Sequence, residues 1–216
     1  MYSLLILIII GLITFIIYLM LKKKNPLKFI IIIFAIIIGV LLLFGFRFTA
    51  SSALPMGSNV IKSINTVYGK AVLYEDQNNT FGLAKINRSL GFLYHYSGGT
   101  SDYLIEGSEP FVAAGFGNDE EDGFMVGVKS NNHNINYIVV GNHLEDISPS
   151  DTYKFNMETV KKHPESYQVK EVVDQYAFFV FDEYSEKTWT IRALDFEGNL
   201  LADKLFGNGD ARYIGW

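Results

Sequence analysis

The chain has 216 residues, a formal net charge of −5, no cysteine and a positive mean hydropathy of +0.18. A positive average is unusual for a soluble domain, so part of the chain is expected to lie in an apolar environment. The lack of cysteine excludes disulfide bonds within these residues. A folded region of this chain must therefore be stable through its hydrophobic core.

Two apolar segments account for the high hydropathy. Residues 4–21 and 29–46 are each 18 residues long and contain no charged side chain and no histidine. At a rise of 1.5 Å per residue, such a helix is about 27 Å long, close to the roughly 30 Å of a bilayer's hydrocarbon core. Neither segment has the polar stripe of a helix in a soluble protein, and neither carries the ionisable groups of a transport pathway. Both are predicted to be membrane anchors.

The lysines between the two segments predict their orientation. Residues 22–28 contain four lysines, and positive charge is retained on the cytoplasmic side of a membrane. We predict a transmembrane hairpin over residues 1–48, with helices at about 3–21 and 29–46, a cytoplasmic loop at 22–28, and an extracytoplasmic remainder. The small residues before and after Ser52 leave a second reading open, in which the chain is cleaved after about Ala53. The length of the second segment favours its retention in the mature protein.

The remainder of the chain is acidic. Residues 1–50 hold five basic and no acidic side chains, which leaves 13 basic and 23 acidic side chains, or about −10, in residues 51–216. A field of this sign repels phosphate groups, so no nucleic acid is expected as a partner.

Residues 60–216 show the pattern of a single β-rich domain, which follows a polar stalk at 49–59. Short segments rich in β-branched and aromatic residues alternate with turns of Asn, Asp, Gly and Ser. They predict an antiparallel β-meander sandwich of about nine to eleven strands, either all-β or with one short helix. Residues 151–162 fit a helix or a strand, and the two lysines at their end favour the helix. The predicted strands form three meanders of three: 70–75, 81–86 and 91–96; 111–116, 124–129 and 134–140; and 175–182, 188–196 and 200–206.

The positions of several strands follow from their side chains. Residues 111–114 and 176–181 are apolar on both faces, which is typical of central strands. Thr190 and Arg192 alternate with apolar residues, which predicts that this strand has one face in water.

One acidic turn resembles the beginning of a calcium-binding loop. Asn118, Glu120 and Asp122 place oxygen donors at alternate positions, and Gly123 occupies the sixth position. Lys129 stands where the bidentate acid of such a loop is required, so a solvated hairpin turn is favoured over a weak cation site.

No other group of residues predicts catalysis or metal binding. Asp182, Glu183 and Asp195 are paired carboxylates of the kind that glycosidases use, but they fall at strand ends, where acidic turns are common. Ser97 lacks the preceding glycine of a nucleophile elbow, so Gly98 and Gly99 are predicted to form a turn. The histidines are at least ten residues apart, which is unsuited to zinc: His95, His133, His143 and His163.

The two-helix leader with its lysine-rich hairpin, together with the segments 69–74 and 90–94, resembles membrane-anchored proteins of low-GC Gram-positive bacteria that have no assigned activity. The resemblance implies a cell-membrane location and carries no site or cofactor.

These observations predict a membrane-anchored, non-enzymatic binding or accessory protein of the cell envelope. Its expected partners are the lipid bilayer, through the two helices, and an envelope protein or glycan, through the β-rich domain. Two alternatives stay open, namely a cell-wall hydrolase that uses carboxylates near Asp182, Glu183 and Asp195, and a calcium-dependent adhesive or sensor module. No cofactor is predicted.

Overall fold

The structure is a computed structural model that describes residues 11, 14–15, 17–18, 26–105, 108–119, 123–142, 152–182, 184, 189–205 and 210–214. The first predicted apolar helix therefore lies largely outside the described residues, and those of its residues that are described are helical.

Helix α1 spans Pro26–Leu43 and covers most of the second predicted apolar helix. Proline suits the first position of a helix, because its missing N–H would have no partner there. The helix ends before Gly45, whose φ of +83° is a left-handed conformation that glycine adopts at low cost. Arg47 then donates hydrogen bonds from Nη1 to the carbonyl oxygens of Leu42, at 2.7 Å, and Phe46, at 2.9 Å. The helix therefore ends three residues before the predicted bound of about residue 46, because Gly45 terminates it.

Most of the described side chains of α1 are apolar and exposed to solvent, with Ile33 buried. The side chains of Pro26, Lys28 and Phe29 lie outside the described part, and within that part no helix has the length and apolar content needed to cross a membrane.

The region after α1 is mostly β, as predicted, and its strands pair antiparallel. A single 3₁₀ turn spans Ser51–Ala53, and helix α2 spans Met157–Lys162. The described strands are β1 (Phe46–Arg47), β2 (Asn59–Asn65), β3 (Gly69–Glu75), β4 (Phe81–Ser89), β5 (Leu93–Tyr103), β6 (Val112–Asp119), β7 (Gly123–Lys129), β8 (Tyr137–Asn142), β9 (Tyr167–Glu171), β10 (Tyr176–Phe181), β11 (Trp189–Leu194), β12 (Leu200–Leu205) and β13 (Arg212–Tyr213).

The strands form three sheets. The first sheet has the order β1-β5-β4-β3-β2, the middle sheet β10-β7-β6, and the third sheet β13-β12-β11-β8-β9. The first predicted meander is confirmed, since β3, β4 and β5 pair in succession. Each of the other two is confirmed in one hairpin, β6–β7 and β11–β12. Their remaining pairings were wrong, because β7 pairs with β10 and β8 pairs with β11. Sequence neighbours often pair in sheets, but not always, and here the chain crosses between layers instead.

The middle sheet is buried on both faces, so the fold has three stacked layers and not the two of the predicted sandwich. In β7, Val126 and Val128 belong to an apolar cluster shared with the third sheet. Met125 faces the other way, into a cluster shared with Leu83 of the first sheet. A Cβ atom on Gly127 would lie 2.8 Å from Leu83 Cδ2, so this glycine lets the two sheets approach closely. Alternate side chains of one strand thus fill two separate interfaces.

The strands predicted to be central lie in the middle sheet, where they flank β7. Residues 112–114 lie in β6 and residues 176–181 in β10, on either side of β7. Their burial is confirmed for most positions, among them Ala114 and Phe178. A strand that is apolar on both faces is predicted to lie in an inner layer. Its sequence does not predict which strands pair with it in that layer.

Short segments cover the two outer faces of the stack. Ala53 and Leu54 are buried on the first sheet, so part of the predicted stalk packs against this sheet. Phe155 and Val160 cover the third sheet. The helix favoured for residues 151–162 is present at Met157–Lys162, where the Asn156 side chain accepts a hydrogen bond from the Thr159 N–H at 3.0 Å.

The turn predicted at Gly98 and Gly99 was wrong, because both residues lie inside β5. Gly98 is opposite Lys85, next to a register shift in the pairing of β4 with β5. A Cβ atom on Gly99 would lie 2.1 Å from the Leu83 carbonyl oxygen. These glycines therefore allow close backbone approach at a bulge, a use of glycine inside strands.

Candidate functional site

Most of the acidic turn that was considered as a weak cation site lies outside the described residues. Asn118 lies on β6, while Glu120 and Asp122 fall outside the described residues. Lys129, at the twelfth position of the loop pattern, ends β7 and forms an ion pair with Glu75. Among the residues that the structure describes, no three His, Asp or Glu side chains come together as potential metal ligands.

The carboxylates considered for hydrolysis lie in different parts of the fold. Asp182 follows β10 of the middle sheet and lines a cleft beside the first sheet. Asp195 lies in the turn between β11 and β12, where its carboxylate accepts hydrogen bonds from Asn199 N, at 2.8 Å, and Asn199 Nδ2, at 3.1 Å. Glu183 is outside the described residues. Asp195 thus stabilises a turn, and it lines a cavity different from that of Asp182.

The histidines are also separate. His95 lies in β5 with its ring 5.5 Å from that of Phe46, and His163 follows α2 with Nδ1 3.6 Å from a Glu165 carboxylate oxygen. His133 is in the turn before β8, and His143 lies outside the described part of the chain.

A cleft of about 920 Å³ lies where the first and middle sheets meet, and we call it the Tyr68 cleft. Its volume is at the upper end of the range for small-molecule sites. The end of β2 and the β2–β3 turn form one wall, and the start of β7 and the end of β10 form the other. The lining residues are Ile64, Asn65, Thr66, Val67, Tyr68, Gly123, Val180, Phe181 and Asp182.

Two buried hydroxyl groups line the Tyr68 cleft, and the described part of the protein leaves their hydrogen-bonding capacity unused. Thr66 Oγ1 and Tyr68 OH are buried and have no hydrogen-bond partner among the described residues. Burial raises the pKa of Tyr68, and the nearby Thr66 hydroxyl acts in the opposite direction without reaching hydrogen-bond geometry. Tyr68 is therefore a neutral hydrogen-bond donor at physiological pH. An unpaired buried hydroxyl costs about 1–3 kcal/mol, which a bound polar group would recover.

The backbone around these hydroxyls is well fixed. The Gly69 N–H donates to the Thr66 carbonyl at 3.2 Å, the Thr66 N–H donates to the Gly69 carbonyl at 3.1 Å, and the Arg88 N–H donates to the Tyr68 carbonyl at 3.1 Å. The Lys85 ammonium lies 4.8 Å from the centre of the Tyr68 ring. The site is thus pre-organised, which lowers the entropic cost of binding.

Strand β2 leads directly into the Tyr68 cleft. It pairs with β3 on one side and is the outermost described strand of the first sheet on the other. Its first half carries a register shift between Val60 and Lys62, and bulges and lysines are common protections of sheet edges. The second half, from Ser63 to Asn65, pairs regularly and lies largely exposed. Within the described residues, this half is therefore an unpaired sheet edge beside the cleft.

A second polar site links the first and middle sheets at the far end of β3. Glu75 Oε1 accepts hydrogen bonds from Lys129 Nζ at 2.5 Å and from Tyr176 OH at 2.8 Å, and Lys129 also donates to the Asn79 carbonyl at 3.0 Å. Burial acts to raise the pKa of Glu75, but the hydrogen bonds from Lys129 and Tyr176 outweigh it and hold the pKa below its ordinary value of 4.5. The donors here are used within the protein, which indicates a structural role.

We expect Glu75→Gln to make the stability of the protein less dependent on acid pH. A lowered pKa stabilises the fold above the unfolded-state pKa, and this stability is lost as the pH falls through the folded-state pKa. In urea unfolding of the full chain in detergent, the deficit of Glu75→Gln relative to wild type should shrink below about pH 4.5. The exposed Glu171→Gln is the control and should show no such trend. A deficit that stays constant down to pH 3 would contradict this assignment.

A third charged group, the Arg192 cluster, lies under the outer cover of the third sheet. Arg192 on β11 is 2% exposed, and its Nε donates to Tyr153 OH at 3.0 Å. Asp203, its cross-strand partner on β12, is fully buried and accepts hydrogen bonds from Arg212 at 2.8 and 3.2 Å. Burial raises the pKa of Tyr153. Three rings surround the guanidinium group of Arg192, with their centres 4.4 to 5.5 Å from its carbon: Tyr153, Phe155 and Tyr167.

The water-facing side predicted for β11 was therefore wrong, because Thr190 and Arg192 are both buried. Alternation of polar and apolar residues does not distinguish a face in water from a face that further residues cover, and here three aromatic rings cover Arg192. Among the described residues, Arg192 Nη1 has no hydrogen-bond partner. The three aromatic residues around Arg192 come from distant segments, and nothing in the local sequence of β11 indicates them.

The Tyr68 cleft is distinguished from the Glu75 site and the Arg192 cluster by its volume, its unused hydroxyls and its free sheet edge. Comparison with protein-family models, with curated proteins and with solved structures found no match for the chain. Geometry alone therefore identifies the Tyr68 cleft as the candidate functional site.

Proposed function

We propose that this protein is a membrane-anchored, non-enzymatic binding protein of the cell envelope, whose β-sheet region binds an extended peptide segment of a partner protein outside the membrane. The observation that carries the proposal is the edge of β2, which pairs with no further strand in the described part of the chain and runs into a cleft with two buried hydroxyls that have no hydrogen-bond partner there. An added strand gains backbone hydrogen bonds at such an edge, and a pocket beside it selects a side chain.

Anchoring is supported by the sequence and by the surface of α1. The exposed side chains of this helix are almost all Leu, Ile or Phe, which soluble proteins do not present as a continuous surface. The sequence supports anchoring because residues 29–46 contain no charged side chain over 18 positions, which is the length that a membrane-spanning segment needs. The lysines at 22–28 favour a cytoplasmic connector, so the β-sheet region would lie outside.

Charge favours a basic segment as the bound peptide. Residues 51–216 carry about −10, and Asp182 lines the cleft. Electrostatic complementarity of this kind speeds association and selects among partners. A peptide side chain that reaches Thr66 and Tyr68 would satisfy the two hydroxyls.

Photocrosslinking of the full chain in its native membrane tests the binding proposal. A benzoylphenylalanine at exposed Ser63, on the edge of β2, is expected to give a discrete adduct, while the same probe at exposed Val173 should not. Thr66→Val combined with Tyr68→Phe should reduce the adduct about tenfold, the effect of 1.4 kcal/mol. Tyr213→Phe, which removes an exposed hydroxyl on the third sheet, is the matched control. Equal adducts from Ser63 and Val173, or none from either, would refute the site.

The proposed orientation has its own test, which the absence of native cysteine makes simple. In intact cells, an impermeant maleimide should label Asn59→Cys, which lies at the start of β2 in the region proposed to be outside the cell. The same reagent should not label Asn25→Cys, in the predicted cytoplasmic loop, until the cells are opened. The opposite pattern would place the β-sheet region in the cytoplasm.

A further inference from the structure

One end of the first sheet carries large apolar side chains where hairpin tips are usually polar. Leu90 is 80% exposed and Phe92 is 55% exposed, both at the β4–β5 hairpin. Val67, in the β2–β3 turn, is 97% exposed. The hydrogen bond from the Arg88 N–H to the Tyr68 carbonyl joins the two hairpins, so these side chains belong to one end of the sheet.

The β4–β5 turn has an unusual residue for its conformation. Leu90 and Gly91 have φ values of +52° and +77°, and the Phe92 N–H donates to the Ser89 carbonyl at 3.3 Å, which closes the turn. Positive φ at both central positions favours Asn-Gly, because a leucine side chain is strained in the left-handed region. Arg88 Nε fixes the geometry by donating to the Gly91 carbonyl at 2.7 Å. Leu90 therefore strains the backbone of this turn, and its side chain is not buried within the protein.

This end of the sheet is tied to the end of α1. Strand β1 begins three residues after α1 ends and pairs with β5, with Phe46 opposite His95 and Arg47 opposite Tyr94. Phe92 is two residues from Tyr94, so it lies about 7 Å along the strand from the position of Arg47. Arg47 in turn holds the last turn of α1 through the Leu42 carbonyl. Phe48, directly after β1, is 51% exposed on this same edge.

We infer that this end of the first sheet, defined by Phe48, Val67, Leu90 and Phe92, inserts its side chains into the interfacial region of the bilayer that α1 enters. The inference rests on the proposed anchoring of α1. Aromatic and aliphatic side chains beside arginines are suited to this region, because the rings reach the acyl boundary while the guanidinium groups stay among the phosphates. Arg47 and Arg88 supply those charges at this end of the sheet. The strain at Leu90 is then offset by burial in lipid.

This placement orients the Tyr68 cleft as well. The β2–β3 turn lines the cleft and belongs to the same end of the sheet, so the cleft would open close to the membrane surface. The peptide that it binds would then be the segment of a partner that directly follows a membrane span.

Fluorescence in vesicles tests the inference with the full chain. An NBD label on Leu90→Cys in phosphatidylcholine–phosphatidylglycerol vesicles should emit at shorter wavelength and be quenched by doxyl lipids. The control is Asn78→Cys, in the exposed β3–β4 turn at the opposite end of β4, which should emit as in water and resist quenching. In a second variant, Leu90→Asn restores the favoured Asn-Gly turn and should abolish the quenching of a label on Phe92→Cys without unfolding the protein.

A flotation assay shows whether the chain is bound to the vesicles, and it therefore distinguishes a failure of this inference from a failure of the proposed anchoring. If the chain floats with the vesicles and the label at position 90 behaves as the label at 78 does, the inference is wrong while the anchoring stands. If the chain does not float, the proposed anchoring fails. If the label at 90 is shielded only at high protein-to-lipid ratio and resists doxyl lipids, a second copy of the chain covers this end of the sheet, which also overturns the inference.

Discussion

Replacing Asp203 with alanine is expected to lower the free energy of unfolding by about 3–5 kcal/mol, because it removes the fully buried carboxylate that the Arg192 cluster is built around. Arg212 would lose both of its hydrogen bonds to Asp203, and Arg192, which is 2% exposed, would lose its cross-strand acid. A buried guanidinium group without an acid is far less stable than the pair. Urea unfolding of the full chain in detergent, followed by far-ultraviolet circular dichroism, measures the change.

A paired replacement provides the control for Asp203→Ala. Arg192→Met combined with Asp203→Leu removes the two fully buried charges, fills the space with apolar side chains and leaves only the partly exposed Arg212 without its acid, so it should be less destabilising than the single change. The exposed Glu171→Ala should stay within about 0.5 kcal/mol of wild type. A cost below about 1 kcal/mol for Asp203→Ala, or a double variant that is worse than the single one, would contradict the pairing described for this cluster.

Phe178→Ala and Phe179→Ala should each cost about 3–5 kcal/mol, although the two residues are adjacent in β10. Phe178 is fully buried in the cluster between the first and middle sheets, and Phe179 is fully buried in the cluster between the middle and third sheets. Each truncation removes a ring from a different interface and leaves a cavity there. The same unfolding measurement applies to both variants.

The exposed Phe196→Ala is the matched control and should change the free energy of unfolding by less than about 0.5 kcal/mol. In a strand with one face in water, adjacent residues alternate between buried and exposed, so only one of the two phenylalanines would be costly to remove. A small effect for either Phe178→Ala or Phe179→Ala would therefore refute the burial of both faces of the middle sheet.

The two proposals about function locate binding and anchoring at one end of the first sheet. The Tyr68 cleft and the apolar hairpin tips share the β2–β3 turn, and α1 is fastened through Arg47 to the strand at the other edge of the same sheet. A partner segment would thus bind along β2 at a fixed distance from the bilayer surface. Restricting binding to this distance raises the effective concentration of partners held in the same membrane.

Much of the candidate site could not be predicted from the sequence. Thr66 and Tyr68 are unremarkable in a turn, and their importance arises from the end of β10, which lies more than 100 residues later and closes the cleft against them. The carboxylates Asp182 and Asp195, which the sequence analysis considered together, follow strands of two different sheets. Leu90 could have been noticed, since Leu-Gly replaces the usual Asn-Gly between two β segments.

The sequence by itself determined that the region after α1 is built from antiparallel strands, because side-chain alternation and turn residues act over a few positions. It also determined the two apolar segments, the lysine-rich connector between them and the acidic charge of the remainder. Only the tertiary structure decided that β7 pairs with β10, that three sheets stack, and that Arg192 is buried with Asp203. Those features depend on contacts between residues far apart in the chain, and the local pattern specifies that a face is buried without specifying what covers it.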